Sequence, residues 1–236
     1  TCGGFTASGE KMTERSEAEK IRMDCDHNSA FVRSVEKQVK TIQPPRLYDL
    51  TTLQRECNRI YGYTAQQTLD YVQSLYEKKL ATYPRTDSQY LTKDMQATAA
   101  SLILWLRDNM TFGKGYAGEP DIDRVTDDSK VTDHHALLVT PNRPLALYKN
   151  EQIIYDMIAG RMVEAFSEEC VKDTATVVAE VVPDAGERCE GLTFEAKGCI
   201  VRKAGWRGVY GEYGEDSGNT ALPVSYTHLR AHETPE

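Results

Sequence analysis

From Asp49 onward, apolar residues recur at helical spacing. Leu50, Leu53, Cys57 and Ile60 fall on one face, Asp49 or Thr51 stands where an N-cap belongs, and Gly62 stands where the helix should end. Thr64 and Gln67 form a capping box, which predicts a second helix with Ala65, Leu69, Val72 and Tyr76 as its apolar face. Thr92 is predicted to cap a third, from Lys93 to about Met110, that turns Met95, Ala99, Leu102, Ile103 and Leu106 inward. Asn150 is predicted to cap a fourth, running to Phe166, with Ile154, Met157, Ile158, Met162 and Ala165 as core. Between the third and fourth helices, the Gly-rich, acidic stretch from Thr111 to Lys130 reads as an exposed loop.

On either side of this helical stretch the period shortens. Ser16 to Ile21 suits a short helix opened by a Ser16/Glu19 box, and Phe31 to Val39 alternates weakly like a strand that Pro44-Pro45 ends. Thr174 to Val182 is β-branched, Leu192 to Ala196 alternates, and Cys199 to Val201 with Gly205-Trp206 continues the strands. The β, α, β order predicts an α+β fold: a helical unit, 44–167, inserted in a β domain made of 1–43 and the returning segment 168–224. Residues 225–236 continue no strand pattern and read as a non-native tail, so His228 and His232 are given no role.

Composition narrows the class. The chain has 236 residues, 40% hydrophobic and 27% charged, enough for a sizeable core in one or two domains. No apolar run reaches membrane-spanning length and no signal-peptide pattern opens the chain, so a cytoplasmic setting without a membrane is expected. Six scattered cysteines without a CxxC pair argue for reduced thiols and against a zinc ribbon. A formal charge of −8 means that any nucleic-acid contact must be local. Acidic residues gather at 121–128 and 212–216, whereas Lys40, Arg46, Arg55, Arg59, Lys78, Lys79 and Arg85 lie in the sequence neighbourhood of Tyr83.

Thr82-Tyr83-Pro84-Arg85-Thr86-Asp87-Ser88 holds the candidate chemistry. A phenol titrates near 10 in water and attacks at neutral pH only with help, which a cation or base can give. Arg85, two residues on, presents a planar fork suited to phosphate. Attack by Tyr83 on a phosphodiester is one reading; a packed turn with a solvated arginine is the other, and these residues alone leave both open. Likewise the two helices before Tyr83 fit either a DNA-facing helix-turn-helix or an ordinary helical hairpin. Of the adjacent His134 and His135, one is expected to face the site, and their spacing does not suit metal ligation.

Taken together, Leu47-Tyr48-Asp49-Leu50-Thr51-Thr52-Leu53-Gln54-Arg55-Glu56, Gly62-Tyr63, Leu75-Tyr76-Glu77, Thr82 to Ser88, Asp133-His134-His135-Ala136 and Gly205-Trp206 resemble type IA DNA topoisomerases. Tyr-Pro-Arg with paired histidines is more similar to the topoisomerase III branch than to bacterial topoisomerase I. The resemblance implies a winged-helix-like catalytic domain inserted in a β-strand arch domain. It also implies that Tyr83 cuts one DNA strand through a 5′-phosphotyrosine and reseals it without ATP, and no GxxxxGK[ST] motif is present.

On the same basis Arg85 holds the scissile phosphate, His134 contacts the DNA backbone, and Tyr63 and Gln73 lie where the family touches DNA. The expected partners are single-stranded DNA and the rest of a parent topoisomerase. Mg²⁺ is expected on an acidic domain that precedes this region in the family and is not part of this sequence, so the chain reads as a fragment unable to relax DNA alone. The competing reading is a helix-turn-helix module that binds DNA without cutting it, with Tyr83 stacking or packing.

Overall fold

The computed structural model describes residues 6–26, 28–112, 119–142, 146–182 and 191–210, with the backbone of 228–230. In chain order its elements are α1 (Arg15–Cys25), β1 (Ser29–Ile42), α2 (Leu50–Tyr61), α3 (Ala65–Glu77), α4 (Gln96–Asn109), α5 (Lys149–Phe166), β2 (Cys170–Val182), β3 (Thr193–Lys203) and β4 (His228–Arg230). These elements form two compact units. One comprises Thr1–Thr41, Val171–Arg202 and Gly214–Glu236; the other comprises Ile42–Cys170 and Lys203–Tyr213. Among the described residues no helix is long and apolar enough to cross a membrane.

The first unit is a sheet in the order β3-β2-β1-β4. Val177, Ala179 and Val181 alternate inward along β2, and Val32, Val177 and Ala196 make a small core. Ser8 adds an antiparallel bridge to Glu195, through hydrogen bonds of 2.8 and 2.9 Å. Helix α1 buries nothing, and its Arg15–Glu19 pair lies one turn apart in solvent. The expected Ser16/Glu19 box does not form: Ser16 lies inside the helix, behind Glu14, which makes no side-chain cap. The tail also departs from expectation, because β4 pairs antiparallel with β1, Ser29 opposite Arg230 and Phe31 opposite His228. An open strand edge accepts any extended segment through backbone groups alone, whatever its pattern.

The second unit is built around α5, which is buried nearly all round, from Ile154 to Phe166. Helix α2 begins as its sequence predicts: the Asp49 carboxylate accepts from the Thr52 N–H at 2.6 Å. Gly62, at φ +71°, closes it in the left-handed region. The Thr64/Gln67 capping box opens α3, with bonds of 3.1 and 2.9 Å. Its buried face differs from expectation. Thr68, Val72 and Leu75 face the core, while Ala65 and Tyr76 are exposed and Leu69 is half-buried. Thr68 can go inside because its hydroxyl is satisfied by the Thr64 carbonyl, at 3.1 Å.

Four more expectations are corrected by long-range contacts. Thr92 makes no cap; a 3₁₀ turn, Lys93–Met95, precedes α4, and the Asp128 carboxylate takes the Lys93 N–H at 2.9 Å. The acidic stretch before Val131 is therefore not simply an exposed loop, and Val125 is buried within it; residues 113–118, like 212–216, lie outside the described residues. Asn150 sits inside α5 rather than capping it, and bridges Tyr63 to Tyr71. Gly205-Trp206 is a 3₁₀ turn, not a strand. At φ +52° a Cβ on Gly205 would collide with the Glu168 and Glu169 carbonyls. Trp206 donates its N–H to Glu168 O at 2.9 Å and its indole N–H to Ile42 O at 3.2 Å, so three passages of the chain meet at one residue.

Among the described cysteines, Cys57, Cys170 and Cys199 are free thiols. Burial pushes the Cys57 thiol up to about 11, the inert form of a core cysteine.

Candidate nucleic-acid site around Tyr83

Helix α3 delivers the chain to Tyr83 through an abrupt reversal. The Leu80 N–H returns to Leu75 O and the Lys79 N–H to Tyr76 O, both at 2.8 Å, with Lys79 at φ +58°. That is a Schellman closure with lysine in the position where glycine is usual. The reversed peptide is gripped from outside, since Lys79 O accepts from Thr140 Oγ1 at 2.6 Å and from Asn142 Nδ2 at 2.8 Å. At the same corner Lys78 Nζ lies 2.6 Å from both carboxylate oxygens of Glu151, and Ser74 Oγ donates to the same group at 2.6 Å. Burial pushes the Glu151 carboxyl up, but the bonds from Lys78 and Ser74 and the Lys78 charge outweigh it and hold it below its ordinary range.

Residues 81–90 then run extended beside 134–139. Ala81 bridges Val139, the Thr82 N–H donates to Leu138 O at 2.9 Å, and the Thr82 hydroxyl accepts from the Leu138 N–H at 3.0 Å. Farther along, Thr86 Oγ1 donates to His134 O at 3.0 Å and the Ala136 N–H donates to Tyr90 O at 2.9 Å. This pairing brings the Tyr83 and His134 rings together, centroids 4.5 Å apart. Tyr76 meets Tyr83 edge-on at 5.5 Å. The Tyr83 ring is thus half-buried between two rings.

Burial alternates behind it. Pro84, Thr86 and Ser88 point inward while Arg85 and Asp87 are exposed. Arg85 and Asp87 open onto a cleft of about 460 Å³, whose walls include Asp133, His134 and the first two residues of α2, Leu50 and Thr51. Tyr83 borders the cleft through His134 rather than lining it. The α2 wall is fixed on both sides: the Leu50 N–H donates to Thr86 O at 3.1 Å, and Gln89 donates to Asp49 at 3.0 Å and to Thr52 at 2.9 Å. Beneath it Arg161 pairs with Glu56 at 2.7 Å and Glu164 at 2.9 Å, lies over the Tyr48 ring, and leaves Glu56 free to accept from the Tyr48 hydroxyl. Burial raises both the Tyr48 phenol and the Glu164 carboxyl.

Of the residues singled out from sequence, the structure brings Tyr83 to His134, and Arg85 with His134 into one cleft. Tyr63 and Gln73 do not line it. Tyr63 donates to Asn150 at 3.0 Å and packs between Tyr61 and Tyr71, with centroids at 5.7 and 5.5 Å. Gln73 donates to Glu77 at 3.0 Å, and its carbonyl oxygen is buried without a hydrogen-bond partner. His135 turns its ring to the Ala136 carbonyl, 2.7 Å away. The residues that sequence reasoning missed are those that place others: Tyr76, assigned to a core face, and Thr86 and Gln89, whose partners lie far along the chain.

Among the described residues no group of three or more His, Cys, Asp or Glu side chains could hold a metal ion. Asp87 and Asp133 in the cleft do not by themselves make a magnesium site.

Residues 4–230 match the family described as DNA topoisomerase. The chain is 35% identical over 205 residues to DNA topoisomerase 3 of Bacillus subtilis (strain 168), an overlap of 79% of this chain and 26% of that protein. It is 32% identical over 245 residues to DNA topoisomerase 3 of Staphylococcus aureus (strain MRSA252), covering 96% and 33%. Over 217 residues it is 32% identical to DNA topoisomerase 1 of Pyrococcus horikoshii, covering 89% and 30%. In fold it is similar to full-length topoisomerase I from Thermotoga maritima, with a TM-score of 0.70 at 20% identity, covering 98% of this chain and 38% of that one. The chain spans about a quarter to a third of the length of these curated relatives.

Proposed function

Because the chain belongs to the type IA DNA topoisomerase family, we propose that it carries the strand-cutting half of a reaction that changes DNA topology, with Tyr83 as nucleophile. The observation that supports this most directly is the juxtaposition of the Tyr83 and His134 rings, 4.5 Å apart, at the edge of a cleft that Arg85 and His134 share.

In this reading the Tyr83 phenol oxygen attacks the phosphorus of a single DNA strand. The bond from phosphorus to the 3′ oxygen breaks, and the departing oxygen takes up a proton in exchange for the one the phenol loses. The product is a 5′-phosphotyrosine and a free 3′-hydroxyl; attack by that hydroxyl on the same phosphorus restores both the phenol and the strand. The phosphodiester's energy is kept in the ester, so no nucleotide is consumed. Arg85, exposed and without an ion-pair partner among the described residues, holds the scissile phosphate and offsets the charge that develops on it. His134 contacts an adjacent phosphate, and Tyr63 and Gln73 serve DNA outside the cleft.

The helical unit is then the winged-helix-like catalytic domain, and the sheet belongs to the arch that carries it. The setting is the cytoplasm, within a longer parent enzyme. Magnesium enters this reading only through an acidic domain of that parent; the described residues of this chain do not fit it, and no step of the reaction is routed through it.

The test joins this chain to the magnesium-binding part of a related topoisomerase and incubates the pair with end-labelled single-stranded DNA. A denaturant-resistant adduct that disappears in Tyr83→Phe is the expected result. An equal adduct in the variant excludes Tyr83, and DNA binding without any adduct favours a module that holds DNA without cutting it.

A further inference from the structure

Helix α2 contributes Leu50 and Thr51 to the cleft and then leads away from it, and its polar side chains divide into two sets. One set is spent inside the fold. Gln89 donates to Thr52 at 2.9 Å, Gln54 donates to Ala65 O at 2.9 Å, Asn58 donates to Tyr63 O at 2.9 Å, and Glu56 is held by Arg161 and Tyr48. The other set is Thr51, Arg55 and Arg59. All three are exposed, and none makes a side-chain hydrogen bond or ion pair among the described residues. They stand at i, i+4 and i+8, so they form a single stripe, with about 6 Å of helix axis between successive members.

Two arginines one turn apart repel each other. The one carboxylate on α2 is turned inward to Arg161, so the stripe presents two unneutralised positive charges on a chain whose formal charge is −8. A row of phosphates offsets such a stripe; scattered counter-ions do so only weakly. Its first member, Thr51, is also a wall of the cleft that Arg85 and His134 share.

We infer that the outer face of α2 is a track for the single DNA strand beyond the scissile phosphate, with Thr51, Arg55 and Arg59 meeting successive backbone phosphates. This rests on the reading of the Tyr83 cleft as the cutting site and names the path of its substrate. The track touches phosphate alone, so it binds without regard to base sequence. Guanidinium forks also suit it better than ammonium groups, because each can bridge two oxygens of one phosphate.

The test measures binding of fluorescein-labelled tetrathymidylate, which fills the cleft only, and dodecathymidylate, which reaches the track, by anisotropy with the 236-residue chain. For the longer strand, the double variant R55Q/R59Q should flatten the slope of log K against log salt by about 1.4, that is ~0.7 for each phosphate no longer neutralised. Its affinity for the short strand should be unchanged, while Arg85→Ala should weaken both strands alike. An unchanged slope for the longer strand in R55Q/R59Q overturns the track and leaves the Tyr83 cleft standing. Failure of the unaltered chain to bind either strand overturns both. A double variant that keeps the longer strand but loses binding to polyglutamate assigns the face to an acidic protein and overturns the track as well.

Discussion

The Thr86 hydroxyl donates to the main-chain oxygen of His134 at 3.0 Å, across 48 residues of sequence, and accepts from the Ser88 N–H at 3.1 Å. One buried side chain therefore sets both the strand that bears Tyr83 and the peptide that bears the histidine against it. Thr86→Val keeps the shape and removes both bonds. We expect a stability loss of about 1–3 kcal/mol, chiefly because the buried Ser88 N–H is left unpaired, with a smaller share from the part-buried His134 carbonyl. A second expectation separates positioning from mere stability: at a temperature where the variant is fully folded, adduct formation in the joined enzyme falls while its affinity for the tetrathymidylate is retained. Cleavage at the parent rate would remove Thr86 from the positioning of His134.

Arg85→Ala should behave in the opposite way. The side chain is exposed and has no ion-pair partner among the described residues, so thermal unfolding should shift by no more than about 0.5 kcal/mol. Adduct formation should drop ~10²–10³-fold if the guanidinium faces developing phosphate charge. Arg85→Lys should recover only part of this, because an ammonium cannot grip two oxygens in a plane. Full recovery by lysine would reduce the requirement to charge alone.

Lys79 holds a left-handed backbone at φ +58° without the freedom glycine has there. Lys79→Gly relieves a strain of about 1–2 kcal/mol, partly offset by the greater freedom of glycine in the unfolded chain. The expected result is a small rise in the unfolding midpoint, read by circular dichroism. Lys79→Val, β-branched in the same conformation, should lower it.

The Lys78–Glu151 contact gives a pH signature. Its carboxyl titrates below the ordinary glutamate value of 4.5 in the folded chain, so its stabilisation is complete above that pH and is lost as pH falls through the folded value. Glu151→Gln should therefore unfold earlier than the parent at pH 7, and the gap should narrow in acid. Glu164 works with the reverse sign: burial raises its carboxyl, so its contribution is largest when protonated and fades as pH rises. Parallel midpoint curves for Glu151→Gln and the parent from pH 7 to pH 3 would dissolve the pair.

What the sequence made legible was local. Asp49, Gly62 and the Thr64/Gln67 box act within four residues of themselves, and each sits where its chemistry predicts. Tyr83 and Arg85 stood out for their side chains, and the pairing of 81–90 with 134–139 brings the histidine to them. The misses share one cause. Thr92 looked like a cap, but the partner of the Lys93 N–H is Asp128, thirty-five residues on. Asn150 looked like a cap, but its amide serves Tyr63 and Tyr71, far back along the chain. Thr68 looked polar, yet a bond to its own helix lets it face the core and turns Tyr76 out towards Tyr83. Where a polar group finds its partner through tertiary contact, spacing along the chain does not reveal it.

Trp206 offers a last consequence. Its two N–H groups fasten Ile42 and Glu168 at one spot, so the long segment of the helical unit starts and finishes at nearly the same address. A module whose ends lie side by side can be transplanted into a foreign loop at little entropic expense to the host. The 42–170 cassette carrying Tyr83 is in that sense portable, provided that its latch, the tryptophan of the returning 203–213 segment, travels with it.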